Sequence, residues 1–220
     1  VFAIIDRTLP GVTVSEPLTP AGARSSPVGE ITFDEVRIPA ENVFRPISGG
    51  DNVLRKVLTA EKILGAFPAT GMMERVIHES MVFARNRSAH GRALSHQQFV
   101  QYRLTEMQIA LETVRGFAQS ILARFARGED VTLEAAALKL QAMRMGVETG
   151  INAIQACGSY GLQEQSRLPM PMLDGLSGTI GGGNEEAQRL VVVAEMTRRS
   201  LRSSAEKTAD TAGSWRASPG

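Results

Sequence analysis

The stretch DNVLRKVLTAEKILGAFPATGMMERVIHESMVFARNR, residues 51–87, has apolar residues at spacings of three and four over most of its length. That period gathers them on one helical face. Asp51 stands where an N-cap is wanted. Pro68 lies inside the run and predicts a kink, because it removes one hydrogen bond from the ladder. Such a long amphipathic helix needs partners for its apolar face, and the chain downstream supplies them. Ser95 is read as the cap of a second helix, HQQFVQYRLTEMQIALETVRGFAQSILARFARG, ending at Gly128. Thr132 opens a third, LEAAALKLQAMRMGVETGINAIQACG, again closed by glycine. A loop with Pro169 and Pro171 follows, and a fourth helix runs from Asn184 to about Ser200. These helices are long and the connections are short. The expected class is mainly α, an antiparallel four-helix bundle.

Upstream the period changes. VFAIID ends at a turn signal, and VTVSEPL and EITFDEVRIP alternate apolar and polar residues, with Pro39 as the stop. Three strands leave edges and an apolar face open, so they read as the end of a larger sheet. The opening VFAIIDRTLPG carries no basic segment and reads as a strand, not a signal peptide. The expected divisions are 1–45, the last strands of an incomplete β domain; 46–200, the bundle; and 201–220, a polar, disordered tail.

Composition narrows the function. The net charge of +1 gives no long-range field for nucleic acid or an anionic membrane. No apolar run is long enough to span a bilayer. The single cysteine, Cys157, allows no internal disulfide and suits a reducing, cytoplasmic setting. His78, His90 and His96 have no metal-ligand spacing with cysteines or carboxylates, so no metal site is expected. The glycines of TIGGGNEEAQR, residues 179–189, match neither the Rossmann fingerprint nor Walker A. Read alone, they are either an anion cradle at a helix start or a flexible loop.

Four stretches taken in order carry more. They are EITFDEVRIPAENVF, then ARNRSAHGRALSHQQFVQYRLTEM, then QACGSYGL, then TIGGGNEEAQR. Their order and spacing resemble the C-terminal half of the acyl-CoA dehydrogenase family. There the corresponding motifs read F-x-x-V-x-V-P-x-x-N, R-x-x-F-G-x-x-L-x-x-x-Q, Q-x-x-G-G-x-G and I-Y-E-G-T-N-E-I-Q-R. The resemblance covers about residues 1–200. It implies the C-terminal four-helix bundle of such an enzyme, preceded by the last strands of its middle β domain. It also implies FAD and oxidation of the Cα–Cβ bond of an acyl thioester, as in fatty acid metabolism. A glutamate takes the α-proton from within a dry pocket while the β-hydride passes to flavin.

The residue-by-residue match contains a vacancy. In the common pattern the base is the Glu of Y-E-G-T, and that position here is Gly182. Glu185 and Glu186 lie inside the following helix and would project elsewhere. The isovaleryl-CoA and long-chain branches of the family instead place the base on the first long helix, just before a basic residue. That pair is Glu61 and Lys62 here, with Gly71 supporting the register. Taken alone, Glu61 is one more exposed helix glutamate; with Gly182 vacant it becomes the expected base. Lys62 and Gly182 are then expected to border the substrate.

The resemblance assigns FAD contacts to Arg87, Gln98, Gln155, Gly158, Ser159, Asn184 and Glu186, some of them serving a neighbouring subunit's cofactor. His90 replaces a motif aromatic, Ser159 a motif glycine and Leu173 a motif arginine. Most of the domain that holds the flavin ring is outside these 220 residues, so this stretch alone is expected to bind FAD weakly. Implied partners are an acyl-CoA or an acyl-carrier-protein thioester, and electron-transfer flavoprotein or another acceptor. The assembly implied is a homo- or hetero-oligomer, a homotetramer built as a dimer of dimers. A non-catalytic scaffold subunit is the alternative of a different class.

Overall fold

The computed structural model describes residues 1–44 and 50–216, with side chains described for 1–44 and 53–204. Two short antiparallel pairs occupy the N-terminal segment. β1 (Phe2–Ala3) pairs with β4 (Val43–Phe44), and β2 (Val12–Val14) with β3 (Ile31–Phe33). These strands are much shorter than the alternating runs predict. EITFDEVRIP leaves the sheet after Phe33, and Glu35 turns into the left-handed region at φ 46°. Ile4, Ile31, Phe33 and Phe44 stay exposed, so the apolar face of this segment is open.

The first helix, α1 (Gly50–Asn86), runs unbroken through Pro68. The Asp51 cap lies outside the residues whose side chains are described. A tight hairpin follows, β5 (Ser88–Ala89) with β6 (Arg92–Ala93), which the helical reading passes over. His90 and Gly91 form its two-residue turn with φ 52° and 77°, the double left-handed geometry of a type I′ turn. α2 (Gln98–Ala126) begins after a single 3-10 turn over Leu94–His96. Ser95 lies within that turn and does not cap the helix; its carbonyl accepts a hydrogen bond from Gln101.

α3 (Thr132–Cys157) closes at Gly158, which takes φ 61°. α4 (Met170–Ile180) replaces the expected loop. Its prolines fall at and before the first turn, where a missing N–H costs nothing, so they start a helix instead of forbidding one. The structure therefore has five long helices among the described residues where the sequence reading has four. α5 (Glu185–Arg216) continues past Ser200, where the sequence reading ends it.

α3 is the central helix and packs against α1, α2, α4 and α5. Its buried face is largely small: Ala135, Ala136, Ala142, Gly146, Thr149, Gly150 and Ala153. Small faces let backbones approach. A Cβ on Gly150 would stand 2.7 Å from the Met172 amide nitrogen of α4. The larger side chains come from α1 and α2, with Ile63, Met73, Val76, Met107, Leu111, Val114 and Ile121 all buried.

Polar contacts show the helix directions. Arg103 near the start of α2 donates to Asn152 near the end of α3, 3.0 Å, so these two run antiparallel. Glu134 of α3 meets Arg199 of α5, whereas Lys139 of α3 meets Gly183 just before α5, so these two are also antiparallel. The β segment docks on α4. Ala23 donates its amide to Asp174 Oδ1 at 2.7 Å, and a Cβ on buried Gly22 would stand 2.3 Å from the Leu173 carbonyl oxygen.

Candidate functional site

Glu61 and Gly182 are 121 positions apart in the chain, yet they meet. A Cβ built on Gly182 would lie 2.6 Å from Glu61 Oε1 and 3.3 Å from Lys139 Nζ. Both values are below ordinary van der Waals contact, so the carboxylate occupies the room that a side chain at 182 would need. α1 presents the carboxylate, and the turn between α4 and α5 leaves the space.

The three glycines build that turn. Gly181 ends α4 in extended backbone at φ −66°, and Gly182 and Gly183 then take φ 63° and 89°. Two consecutive left-handed residues are cheap only for glycine. Asn184 caps α5, its Oδ1 accepting the Ala187 amide at 3.0 Å. Lys139 of α3 donates to the carbonyl oxygens of both Gly181 and Gly183, the second at 2.6 Å. Gln188, buried beneath the loop, donates through Nε2 to Gly183 O at 3.1 Å.

Glu61 itself is exposed, and the described residues do not enclose it. Lys62, its neighbour, is buried. Burial pushes the Lys62 ammonium below its ordinary pKa, and attraction to Glu61 opposes this. Burial likewise lowers Lys139; Glu61 opposes it and the Lys62 charge reinforces it. One carboxylate and two ammonium groups thus share one locality. Along α1 from Glu61, on the same face, Gly65, Ala69 and Met72 line a cleft of about 410 Å³, with Met143, Gly146 and Gly175 opposite. Its walls are mostly small or apolar, with Ser25 and Asp174 as the polar members.

Sequence reasoning missed Lys139 and Gln188. The available signal was Lys139 alone as a charge within AAALKLQAM, residues 135–143, a run whose neighbours Leu138 and Ala142 are buried.

The remaining expected residues fall in two places. Asn184 and exposed Glu186 stand at the start of α5, two and four positions after Gly182. Arg87 follows α1 at its far end, about 39 Å from Glu61 by helical rise. Gln98 opens α2 at that same end. Gln155, Gly158 and Ser159 join them there, because Phe83 of α1 stacks on Tyr160 with ring centroids 4.5 Å apart. Val76, Leu104, Cys157 and Leu168 pack together beneath them. Arg87, Gln98, Gln155 and Ser159 are all exposed, and a Cβ on Gly158 would meet nothing within 4 Å. A cation, two amides, a hydroxyl and an open backbone position suit a pyrophosphate with its sugars. Among the described residues no His, Cys, Asp and Glu cluster could hold a metal, and no helix is long and apolar enough to cross a membrane.

Residues 48–197 match the family model for the acyl-CoA dehydrogenase C-terminal domain. The chain belongs to the acyl-CoA dehydrogenase family. It is 28% identical to L-prolyl-[peptidyl-carrier protein] dehydrogenase of Pseudomonas fluorescens over 88% of this chain and 51% of that protein. It is 26% identical to mitochondrial isovaleryl-CoA dehydrogenase of Oryza sativa subsp. japonica over 88% of this chain and 47% of that protein. Among solved structures, PigA with FAD and proline superposes at a TM-score of 0.84 with 22% identity, over 90% of this chain and 51% of PigA. The chain spans about half the length of the curated relatives it matches.

Proposed function

We propose that this chain is the C-terminal part of an FAD-dependent dehydrogenase that introduces a double bond α,β to an acyl thioester, with Glu61 as the base. The observation that carries the reading is the 2.6 Å between Glu61 Oε1 and the position of a Gly182 Cβ. A side chain at 182 and the carboxylate of 61 are alternative occupants of one place. Family members with glutamate at the later position and those with glutamate on the first helix would thus deliver a carboxylate to the same point.

The acyl group lies along the cleft of Gly65, Ala69 and Met72, with its α-carbon at the Glu61 end. Glu61 accepts the α-proton on a carboxylate oxygen. Lys62 and Gly182 border the thioester, Lys62 by its charge and Gly182 by its lack of bulk. Bound FAD supplies the acceptor for the β-hydride. Arg87, Gln98, Gln155, Gly158 and Ser159 would hold its phosphates and sugars, and Asn184 and Glu186 lie toward it from the other cluster. With these sets about 39 Å apart along α1 by helical rise, one chain cannot offer both to a single dinucleotide. That separation supports an oligomer in which one subunit completes its neighbour's cofactor site, a dimer of dimers being the expected form. The rest of the protein closes over exposed Glu61 and dries it. A cytoplasmic setting suits the free, buried Cys157, and the electrons leave to electron-transfer flavoprotein or a similar acceptor.

The thioester is carried by CoA in this reading. The prolyl carrier-protein dehydrogenase among the relatives favours a second one, in which the thioester is on a carrier protein. Anaerobic flavin bleaching by acyl-CoA and by acyl- or prolyl-carrier protein, side by side, separates the two. Glu61→Gln in the complete protein is expected to keep FAD bound and to abolish flavin reduction by substrate. Near-normal reduction in that variant overturns the assignment. A complete protein that stays colourless after FAD is added would instead identify a scaffold subunit.

A further inference from the structure

The family motifs account for Glu61 and Gly182 but say nothing of Lys139. The geometry points to Lys139 as a positioning residue for the base, an inference that rests on Glu61 having that role. Lys139 comes from the central helix and donates to the carbonyl oxygens of Gly181 and Gly183, on either side of Gly182. The turn it bridges has φ 63° at Gly182 and 89° at Gly183. Glycine-rich backbone in this conformation has little of its own to hold it, because glycine loses more freedom on ordering than any other residue. Gln188 holds Gly183 from beneath, and the ammonium ties Gly181 and Gly183 together across Gly182. It fixes the loop at the one place where displacement would close the gap used by Glu61.

The same ammonium also stands close to the base. Lys139 Nζ and Glu61 Oε1 lie 3.3 Å and 2.6 Å from one point, the position of a Gly182 Cβ, so the two atoms are within about 6 Å of each other. The other titratable groups facing this locality are Lys62 on α1 and, from the first turn of α5, Glu185 and Glu186. Glu185 is engaged with Arg189 at 2.9 Å. Lys139 thus binds the loop on both sides of Gly182 and stands within about 6 Å of the base.

The test uses the complete flavoprotein with Lys139→Met and Lys139→Arg. Two quantities are read: the kcat and KM for flavin reduction by substrate, and amide hydrogen exchange over residues 177–190. Lys139→Met is expected to raise exchange across the glycine turn. It is also expected to lower kcat by about 10- to 100-fold with KM little changed, since a drifting turn misplaces the base by up to about 1 Å. Lys139→Arg is expected to restore both kcat and the protection of the turn. If Lys139→Met leaves both kcat and the exchange unchanged, the inference fails. A slower Lys139→Met enzyme with unchanged exchange and no recovery in Lys139→Arg also overturns it, as this would show packing alone. Glu61→Gln is run alongside: if that variant reduces flavin normally, the base assignment itself has failed, whatever Lys139 does.

Discussion

Replacing Gly182 by alanine tests the geometry most directly. The new methyl group meets two separate costs. The backbone at φ 63° is left-handed, which costs a residue with a Cβ about 1–2 kcal/mol. The Cβ also stands 2.6 Å from Glu61 Oε1, so the carboxylate must retreat to about the 3.4 Å at which ordinary contact begins. A flexible glutamate can do so by leaving its preferred rotamer, at about 0.5–1.5 kcal/mol. Together these predict a loss of about 1.5–3.5 kcal/mol in urea unfolding. Gly181→Ala is the control: its φ is −66° and its Cβ would stand 3.4 Å from the Ser177 carbonyl oxygen, so it should be close to neutral. A double-mutant cycle isolates the contact. In a Glu61→Ala background the backbone cost remains and the steric part disappears, giving a coupling of about 0.5–1.5 kcal/mol. In the complete protein the displaced carboxylate should slow flavin reduction by about 100-fold, the usual penalty for a reacting group moved by about 1 Å. Additivity of the two substitutions to within about 0.3 kcal/mol, with reduction unimpaired, would show that the carboxylate is not at Gly182 and refute the reasoning.

Other outcomes follow from the same structure. Glu134 takes bidentate hydrogen bonds from Arg199 at 3.0 and 2.7 Å and another from Arg124, which lower its carboxyl pKa to about 2 against opposing burial. Its stabilisation is therefore complete above about pH 4.5 and fades as pH falls toward 2; Glu134→Gln should flatten that part of a melting-temperature profile. Gly150→Ala should destabilise by about 1–3 kcal/mol, because its Cβ would press on the Met172 backbone, which cannot swing away. By contrast Gly116→Ala, at an exposed mid-helix position with nothing within 4 Å, should stabilise by about 0.5–1 kcal/mol in the same denaturation assay. Arg87→Ala should weaken FAD retention in the complete protein while leaving the unfolding midpoint of the apoprotein unchanged. Retention at wild-type strength would remove Arg87 from the cofactor site.

Four of the helices were legible from the sequence because an amphipathic helix writes its buried face at a spacing of three and four. Their glycine stops at Gly128 and Gly158 could also be read locally. α4 was not legible, since Pro169 and Pro171 read as breakers unless the helix start is already known, and start or interior is decided by what the segment packs on. The strands shrank to two or three residues for a related reason: alternation marks a face that would suit a sheet, and pairing depends on which neighbour is present. Ser95 has the chemistry of a cap, but the hairpin at Ser88–Ala93 turns the chain so that α2 starts three residues later.

The candidate site divides in the same way. By itself the sequence determined that the position of the common base is a glycine and that a glutamate precedes a lysine on the first long helix. Both are identities at positions in an ordered set of motifs. That these two positions are one place was decided by the tertiary structure, which packs α1 and the α4–α5 turn onto α3 and brings residues 61 and 182 into van der Waals range. Lys139 belongs wholly to that level. A lysine in an apolar run has no local partner to announce it, and its hydrogen bonds reach carbonyl oxygens more than 40 residues away. Backbone carbonyls are identical in every residue, so only the folded chain shows which of them a side chain meets.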